Sequence, residues 1–208
     1  MSGFLGSQEL EIKLYLADLP AFQERLEALG AQRVQPRVHE LNQRFDTPSG
    51  ELARSSQVLR LRRDTASRVT YKGPGTIVGG VRARQEIEFT VGDFEAARAL
   101  FEALGYQVSV IYEKYRATYE LDGVLVTLDQ LPFGDFAEIE GPDAGRIRAA
   151  AGKLGLDWEA RVTESYIALF DHLRKVYAFS FRHLTFENFA GMEISPTELG
   201  VRAADQAV

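Results

Sequence analysis

Apolar and polar positions alternate strictly where the chain first becomes regular. In residues 9–16 one face carries Leu10, Ile12, Leu14 and Leu16, and the other carries Glu9, Glu11, Lys13 and Tyr15. A period of two predicts a β-strand with two unlike faces. The pattern recurs downstream. Residues 58–62 set Leu59 and Leu61 against Arg60 and Arg62, and residues 69–72 continue in the same style up to Lys72. Residues 82–91 set Ile87, Phe89 and Val91 against Arg82, Arg84, Glu86 and Glu88. Further strands are predicted over 110–121, with Lys114 and Arg116 in phase, over 124–128, ending at Asp129, and over 136–140, with Glu138 and Glu140 in phase.

Between these strands the period lengthens to that of a helix. Asp18 is a good N-cap, Pro20 suits a first turn, Phe22, Leu26 and Leu29 follow at helical spacing, and Gly30 stops the run. Asp93 caps a second helix with Phe94, Ala97, Leu100, Phe101 and Leu104 on its apolar side, ended by Gly105. A third is predicted around 147–154, stopped by Gly155, and a fourth over 164–176, capped by Thr163. Residues 31–57 are mixed, with turn signals at 46–50. The glycines at 73, 75, 79 and 80 match neither the P-loop nor the dinucleotide fingerprint and are read as a hairpin loop.

A strand–helix unit is repeated. Glu9-x-Glu11, Glu86-x-Glu88 and Glu138-x-Glu140 each lead into a helix that ends in Leu-Gly, at 29–30, 104–105 and 154–155. Glutamate is disfavoured in strands, so architecture alone gives no reason for the acidic pair in each copy.

Composition narrows the chemistry. At 208 residues the chain is long enough for one domain with a real core, and its 45% apolar and 26% charged content is that of an ordinary globular protein. No apolar run is long enough to span a bilayer and no leader pattern is visible, so neither a membrane nor secretion is expected. The absence of cysteine excludes disulfides and fits a cytoplasmic location. A net charge of −6 argues against nucleic acid as a partner. The three histidines, His39, His172 and His183, have no metal-ligand spacing and assemble no nucleophilic triad. Any catalysis therefore falls to carboxylates, lysine and arginine.

The in-phase polar faces carry Glu9, Glu11, Glu86, Glu88, Asp129, Glu138 and Glu140, together with Lys13, Arg60, Arg62, Lys72, Arg84, Lys114 and Arg116. With helices over the apolar side, such a face is either an exposed sheet or the inside of a closed barrel. An eight-stranded barrel is wide enough to hold one small ligand. Enclosing charges is costly unless they bind something. Rows of Arg and Lys suit oxyanions, and clustered carboxylates suit Mg²⁺ or Mn²⁺. Together they point to a polyphosphate.

Glu9-x-Glu11-x-Lys13 resembles the opening signature of the CYTH superfamily, the triphosphate tunnel metalloenzymes. The resemblance continues through Phe45-Asp46-Thr47-Pro48, Leu59-Arg60-Leu61-Arg62, Thr70-Tyr71-Lys72-Gly73-Pro74, Glu86-x-Glu88, Lys114-x-Arg116, Leu128-Asp129, the run 134–140, and Ser165-Tyr166. It implies an α+β fold, a closed eight-stranded antiparallel β-barrel with helices packed outside. It implies metal ligation by Glu9, Glu11, Asp129, Glu138 and Glu140, and triphosphate binding by Lys13, Arg60, Arg62, Lys72, Arg84, Lys114 and Arg116. Catalysis would rest on Glu9, Glu11 and Lys13, with Lys13 a candidate proton acceptor. Glu86 and Glu88 share the tunnel with open roles; Glu88 is either a further metal or water ligand or the ion-pair partner of Arg84. Arg44 departs from the aromatic residue expected before Phe45, and Tyr166 is read as a packing residue.

The implied activity is metal-dependent hydrolysis of an inorganic or organic triphosphate, such as tripolyphosphate, thiamine triphosphate or a nucleoside triphosphate. Class IV adenylyl cyclase, converting ATP to cyclic AMP and pyrophosphate, is the alternative, and a non-catalytic polyphosphate-binding module a third reading. Residues 1–175 are expected to form the tunnel domain. Residues 176–208, rich in aromatics and with a capping box at Ser195–Glu198, are expected to pack on it or on a second copy in a homodimer.

Overall fold

The computed structural model describes residues 7–206; the outermost residues of the two expected units, 1–6 and 207–208, lie outside the described residues. The elements in order are β1 (Ser7–Leu16), α1 (Leu19–Ala28), β2 (Gln32–Asp46), α2 (Glu51–Arg54), β3 (Val58–Arg63), β4 (Ser67–Val78), β5 (Val81–Val91), α3 (Phe94–Ala103), β6 (Gln107–Leu121), β7 (Val124–Leu131), β8 (Gly134–Glu140), α4 (Ala144–Lys153) and α5 (Tyr166–Tyr177). The strands form one eight-stranded antiparallel sheet in the order β1-β5-β4-β3-β2-β6-β7-β8, and β8 pairs with β1 so that the sheet returns on itself.

Most apolar residues predicted to face outward are buried in three clusters; Ile87 and Phe89 of β5 and Leu100 and Leu104 of α3 are instead exposed, because no described element packs over them. Leu14, Leu16, Val126, Leu128, Ala137 and Ile139 pack under α1 and α4, through Phe22, Leu26, Ile147 and Leu154. Phe45, Leu61 and Val69 pack under α3, through Phe94 and Phe101. The third cluster differs in kind. It joins Leu169, Phe170 and Leu173 of α5 and Leu184 and Phe189 of the tail to Tyr15, Val110, Tyr112 and Phe136. Tyr15, Tyr112 and Phe136 share the phase of the charged faces, so that face turns aromatic at the end of the sheet that α5 and the tail cover.

The repeat is structural. Units β1–α1, β5–α3 and β8–α4 each place a ten-residue helix behind an aspartate cap, Asp18, Asp93 or Asp143, whose side chain accepts an amide hydrogen bond in the first turn. The three strands are neighbours, in the order β8-β1-β5.

Four readings need correction. Residues 32–46, read as mixed, form a 15-residue strand; its register shifts between Arg33 and Val38, around Pro36, and again at Arg44/Phe45, which breaks the alternation. Gly73 and Gly75 lie inside β4 at a register shift, and only Gly79-Gly80, with φ of 59° and 80°, make the two-residue hairpin turn. The fourth predicted helix begins at Tyr166, because Ser165 rather than Thr163 caps it by accepting from the Ala168 amide at 3.2 Å. Ser195 and Glu198 do form reciprocal capping hydrogen bonds, but they close turns rather than a helix. Asp46 of the Phe-Asp-Thr-Pro motif accepts from the amides of Leu52 and Ala53 at 2.9 and 3.0 Å and so anchors α2 to the end of β2.

β1 changes partners midway. Ser7–Glu11 pair with β5, whereas beyond Glu11 only β8 continues alongside. The edge vacated by β5 is taken by other backbone: the Val162 amide donates to the Lys13 carbonyl at 2.8 Å and the Ala204 amide to the Tyr15 carbonyl at 2.9 Å. Asp205 accepts from the amides of Ala17 and Asp18 at 2.8 and 2.9 Å.

Two outcomes follow from this packing. Gly134 has φ +145°, and an added Cβ would stand 2.7 Å from the Tyr15 ring, which is itself packed edge-on against Phe136 at 5.3 Å. Gly134→Ala is expected to lower stability by about 1–3 kcal/mol, read by chemical denaturation. Burial raises the Asp135 carboxyl to about 6, against an opposing pull from Arg37. A carboxyl whose pKa is higher folded than unfolded favours folding fully below about 4 and loses that contribution as pH rises through about 6. Asp135→Asn should therefore melt above the wild type at pH 8, with the two converging towards pH 4.

Candidate active site

The inward residues enclose a cavity of about 600 Å³. Ten cationic side chains and eight carboxylates line it. This small cationic surplus contrasts with the net charge of −6 for the whole chain. Because the three repeat strands adjoin, Glu9, Glu11, Glu86, Glu88, Glu138 and Glu140 share one wall. Arg60 and Arg62 from β3 and Lys114 and Arg116 from β6 line the rest of the cavity, and Lys72 of β4 stands beside Glu86 at the edge of the acidic wall.

The charges are knitted into pairs. Lys72 Nζ donates to both Glu9 oxygens at 2.6 and 2.7 Å and lies 3.0 Å from Glu86. Lys13 lies 3.1 Å from Glu138, with its ammonium 4.4 Å from the centre of the Tyr166 ring. Arg60 donates to the Tyr112 hydroxyl at 3.2 Å and to Thr70 at 3.1 Å, and Thr70 donates on to Glu88 at 2.8 Å. Arg62 reaches Glu88 at 3.1 Å and Glu40 at 3.5 Å. Lys114 joins Asp129 at 2.9 Å and Glu40 at 3.7 Å, while Arg116 joins Asp129 and Glu138.

The carboxylates divide into two electrostatic classes. Burial alone would raise Glu40 and Glu138, but the surrounding cations outweigh it. Lys114, Arg116, Arg62 and Arg60 hold Glu40 at about 2, and Lys13, Arg116 and Lys114 hold Glu138 well below the usual range. Glu9, Glu11 and Glu140 go the other way. Burial raises all three; Glu86 adds to the rise at Glu9, Glu138 and Glu9 at Glu11, and Glu9, Glu86 and Glu11 at Glu140, which reaches about 7. Carboxylates that disfavour one another's charge form an oxygen-only donor set suited to a hard divalent cation. Among the described residues no three such groups already form a closed cage. Glu9 and Glu86 are instead drawn onto Lys72.

All the residues named from sequence except Asp129 line this one cavity. Asp129 is fully enclosed behind the wall, accepting from Arg116 Nε at 2.6 Å and from Lys114 and the Tyr166 hydroxyl at 2.9 Å each. In this arrangement it anchors two cations rather than opening to the cavity. Glu88 pairs with Arg62 and Arg60, not with Arg84. Tyr166 packs as expected, yet its hydroxyl also helps hold Asp129. Sequence reasoning missed Glu40 and Tyr112, and noted Arg44 only as a departure from an expected aromatic residue, not as a lining residue of the cavity. Glu40, and the inward placement of Arg44, went unseen with their strand; a two-residue count backward from Asp46 sets Arg44, Asn42 and Glu40 in one phase. Tyr112 was in phase with Lys114 and Arg116 but uncharged.

The CYTH domain model matches residues 7–153. Adenylate cyclase CyaB of Aeromonas hydrophila is 30% identical over 176 residues, which are 80% of this chain and 90% of that protein. A solved structure from Vibrio parahaemolyticus superposes with a TM-score of 0.72 at 23% identity, covering 80% of this chain and 99% of the other. HpAC1 from Hippeastrum superposes with a TM-score of 0.60 at 21% identity, covering 78% of this chain and 95% of the other, and that protein is described as having a dominant triphosphatase activity. With more than half its length matched by the family model and its alternating strands joined in the order given above, the chain belongs to the CYTH domain family.

Proposed function

We propose that this protein is a metal-dependent triphosphatase that takes a triphosphate chain into the tunnel formed by its eight strands. The observation that carries the reading is the cavity wall itself: six glutamates on three adjoining strands share one space with Arg60, Arg62, Lys114 and Arg116 of other strands, and with Lys72 at their edge. A phosphate chain meets both requirements at once, because its oxygens can be gripped by guanidinium and ammonium groups while bridging to a cation held by carboxylates. Glu9, Glu11, Glu138 and Glu140 would hold Mg²⁺ or Mn²⁺, with Asp129 orienting Lys114 and Arg116 from behind. When bound, the metal would supply Lewis-acid neutralisation of the phosphate oxygens.

The chain's own groups account for the rest. Lys13, Arg60, Arg62, Lys72, Arg84, Lys114 and Arg116 would bind and straighten the polyphosphate. Attack by water on a phosphorus forms one P–O bond and breaks the bridging P–O bond; the proton passes to solvent and the departing phosphate leaves as the anion. The guanidinium groups of Arg60, Arg62 and Arg116 are held in place before substrate arrives by Tyr112, Thr70, Glu40 and Asp129, so little reorganisation is needed as charge builds on the equatorial and leaving oxygens. Cyclisation of ATP is the second reading, favoured by the name of the Aeromonas relative; the activity described for HpAC1 favours hydrolysis.

Purified protein with Mg²⁺ or Mn²⁺ should release phosphate from tripolyphosphate, thiamine triphosphate or ATP. Cyclic AMP with pyrophosphate as the dominant products would replace hydrolysis by the cyclase reading, and tight binding without turnover would leave a polyphosphate-binding module. Glu11→Gln should cost about 10²-fold or more in metal-dependent turnover. Its melting temperature without metal should match or exceed the wild type, because one of several mutually repelling carboxylates is removed.

A further inference from the structure

Of the ten cations on the cavity wall, two make neither an ion pair nor a side-chain hydrogen bond among the described residues: Arg44 and Arg84. Arg84 stands beside Glu9 in the β1–β5 ladder, within the acidic wall. Arg44 is placed differently. It lies on β2, four strands from β1 in either direction around the ring, and therefore across the cavity from the glutamates of β1. It is four residues beyond Glu40, about 13 Å along the strand, towards the end that α5 covers. Arg60 is directly opposite it on β3 and Val110 opposite it on β6, and Val58, Tyr112 and Ile167 also line the cavity.

The acidic groups whose fields reach Arg44 are all engaged elsewhere: the Tyr112 hydroxyl accepts from Arg60 at 3.2 Å. Asp171 of α5 pairs with Arg174 at 3.5 Å, and Asp46 accepts from the amides of Thr47, Leu52 and Ala53. Burial pushes the Arg44 guanidinium below its usual value and the neighbouring Arg60 adds to this, together outweighing the opposing pulls of Tyr112, Asp171 and Asp46. A half-buried guanidinium without a carboxylate is an under-neutralised charge that a ligand can satisfy.

We propose that Arg44 is a specificity-determining residue: it receives an anionic group at the end of the bound chain remote from the glutamates, so the cavity selects ligands charged at both ends. The inference rests on the triphosphate reading of the site. A free inorganic chain ends in an ionised phosphate that fits a guanidinium fork. A nucleoside or other neutral group in the same place leaves Arg44 desolvated and unpaired, which penalises that ligand without any steric barrier.

The test compares inorganic tripolyphosphate with ATP, with Mn²⁺ present, in wild type, Arg44→Gln, Arg44→Lys and Asp171→Asn. Calorimetric affinities are measured alongside kcat and KM, and thermal melting checks that each variant is folded. Arg44→Gln should lower kcat/KM and affinity for tripolyphosphate by about tenfold or more, chiefly through KM, and change those for ATP by less than about threefold. Arg44→Lys should recover part of the loss, and Asp171→Asn should leave the ratio between the two ligands unchanged. Equal losses on both ligands, or the same change of ratio from Asp171→Asn, would overturn the assignment while leaving the triphosphatase reading intact. A wild type that neither binds nor turns over either ligand would overturn both.

Discussion

Placing many ionised side chains inside a closed sheet is the constraint on which the rest of this molecule depends. Each buried ion costs several kcal/mol of lost hydration unless its partners are well placed. The sheet meets that demand by neighbourhood: acids concentrate on β8, β1 and β5, and most of their counter-charges stand on β3, β4 and β6. Outside, the same strands bury Leu, Ile, Val and Phe under helices, so the hydrophobic contribution is made wholly on the outer surface and at the aromatic end. The usual order of a globular protein is inverted, with the apolar layers around the polar centre.

That inversion made much of the fold legible in the sequence. Strict alternation with charge on one side identified seven strands and, through the repeat, the three units that adjoin in the sheet. The eighth strand escaped because Pro36 and three register shifts break its period, and the places of Glu40 and Arg44 in the cavity escaped with it. The surroundings of Asp129 escaped for another reason. Phase says which face a residue occupies, but not whether Lys114, Arg116 and Tyr166 will close over it. Tyr112 was hidden by its chemistry: a phenol among guanidinium groups looks like packing until its hydroxyl is seen to accept from Arg60. There Arg60 and Lys114 outweigh burial and hold the phenol below its usual pKa.

The two electrostatic classes of carboxylate differ in how far the wall already neutralises them. Glu40 and Glu138 are held ionised by cations and stabilise the wall as it stands. Glu9, Glu11 and Glu140 are held in mutual conflict, a cost that a folded protein retains only where the site is reserved for something positive. The wall is therefore stiff on its cationic side and primed on its acidic side.

The exchange of partners along β1 has a consequence for how the molecule is assembled. Beyond Glu11 the strand has no β5 beside it, and its open backbone is taken up by residues 162 and 204, with Asp205 holding the amides that follow. Residues 203–205 are synthesised after every strand and helix of the sheet. The free edge of β1 is thus sealed in two steps, at Lys13 by residue 162 ahead of α5 and at Tyr15 by residue 204 near the far end of the described chain. Until the second of these arrives, a nascent sheet carries an open stretch of backbone at the Tyr15 end of β1, so the last part of the ring to be held is the edge beside its aromatic end.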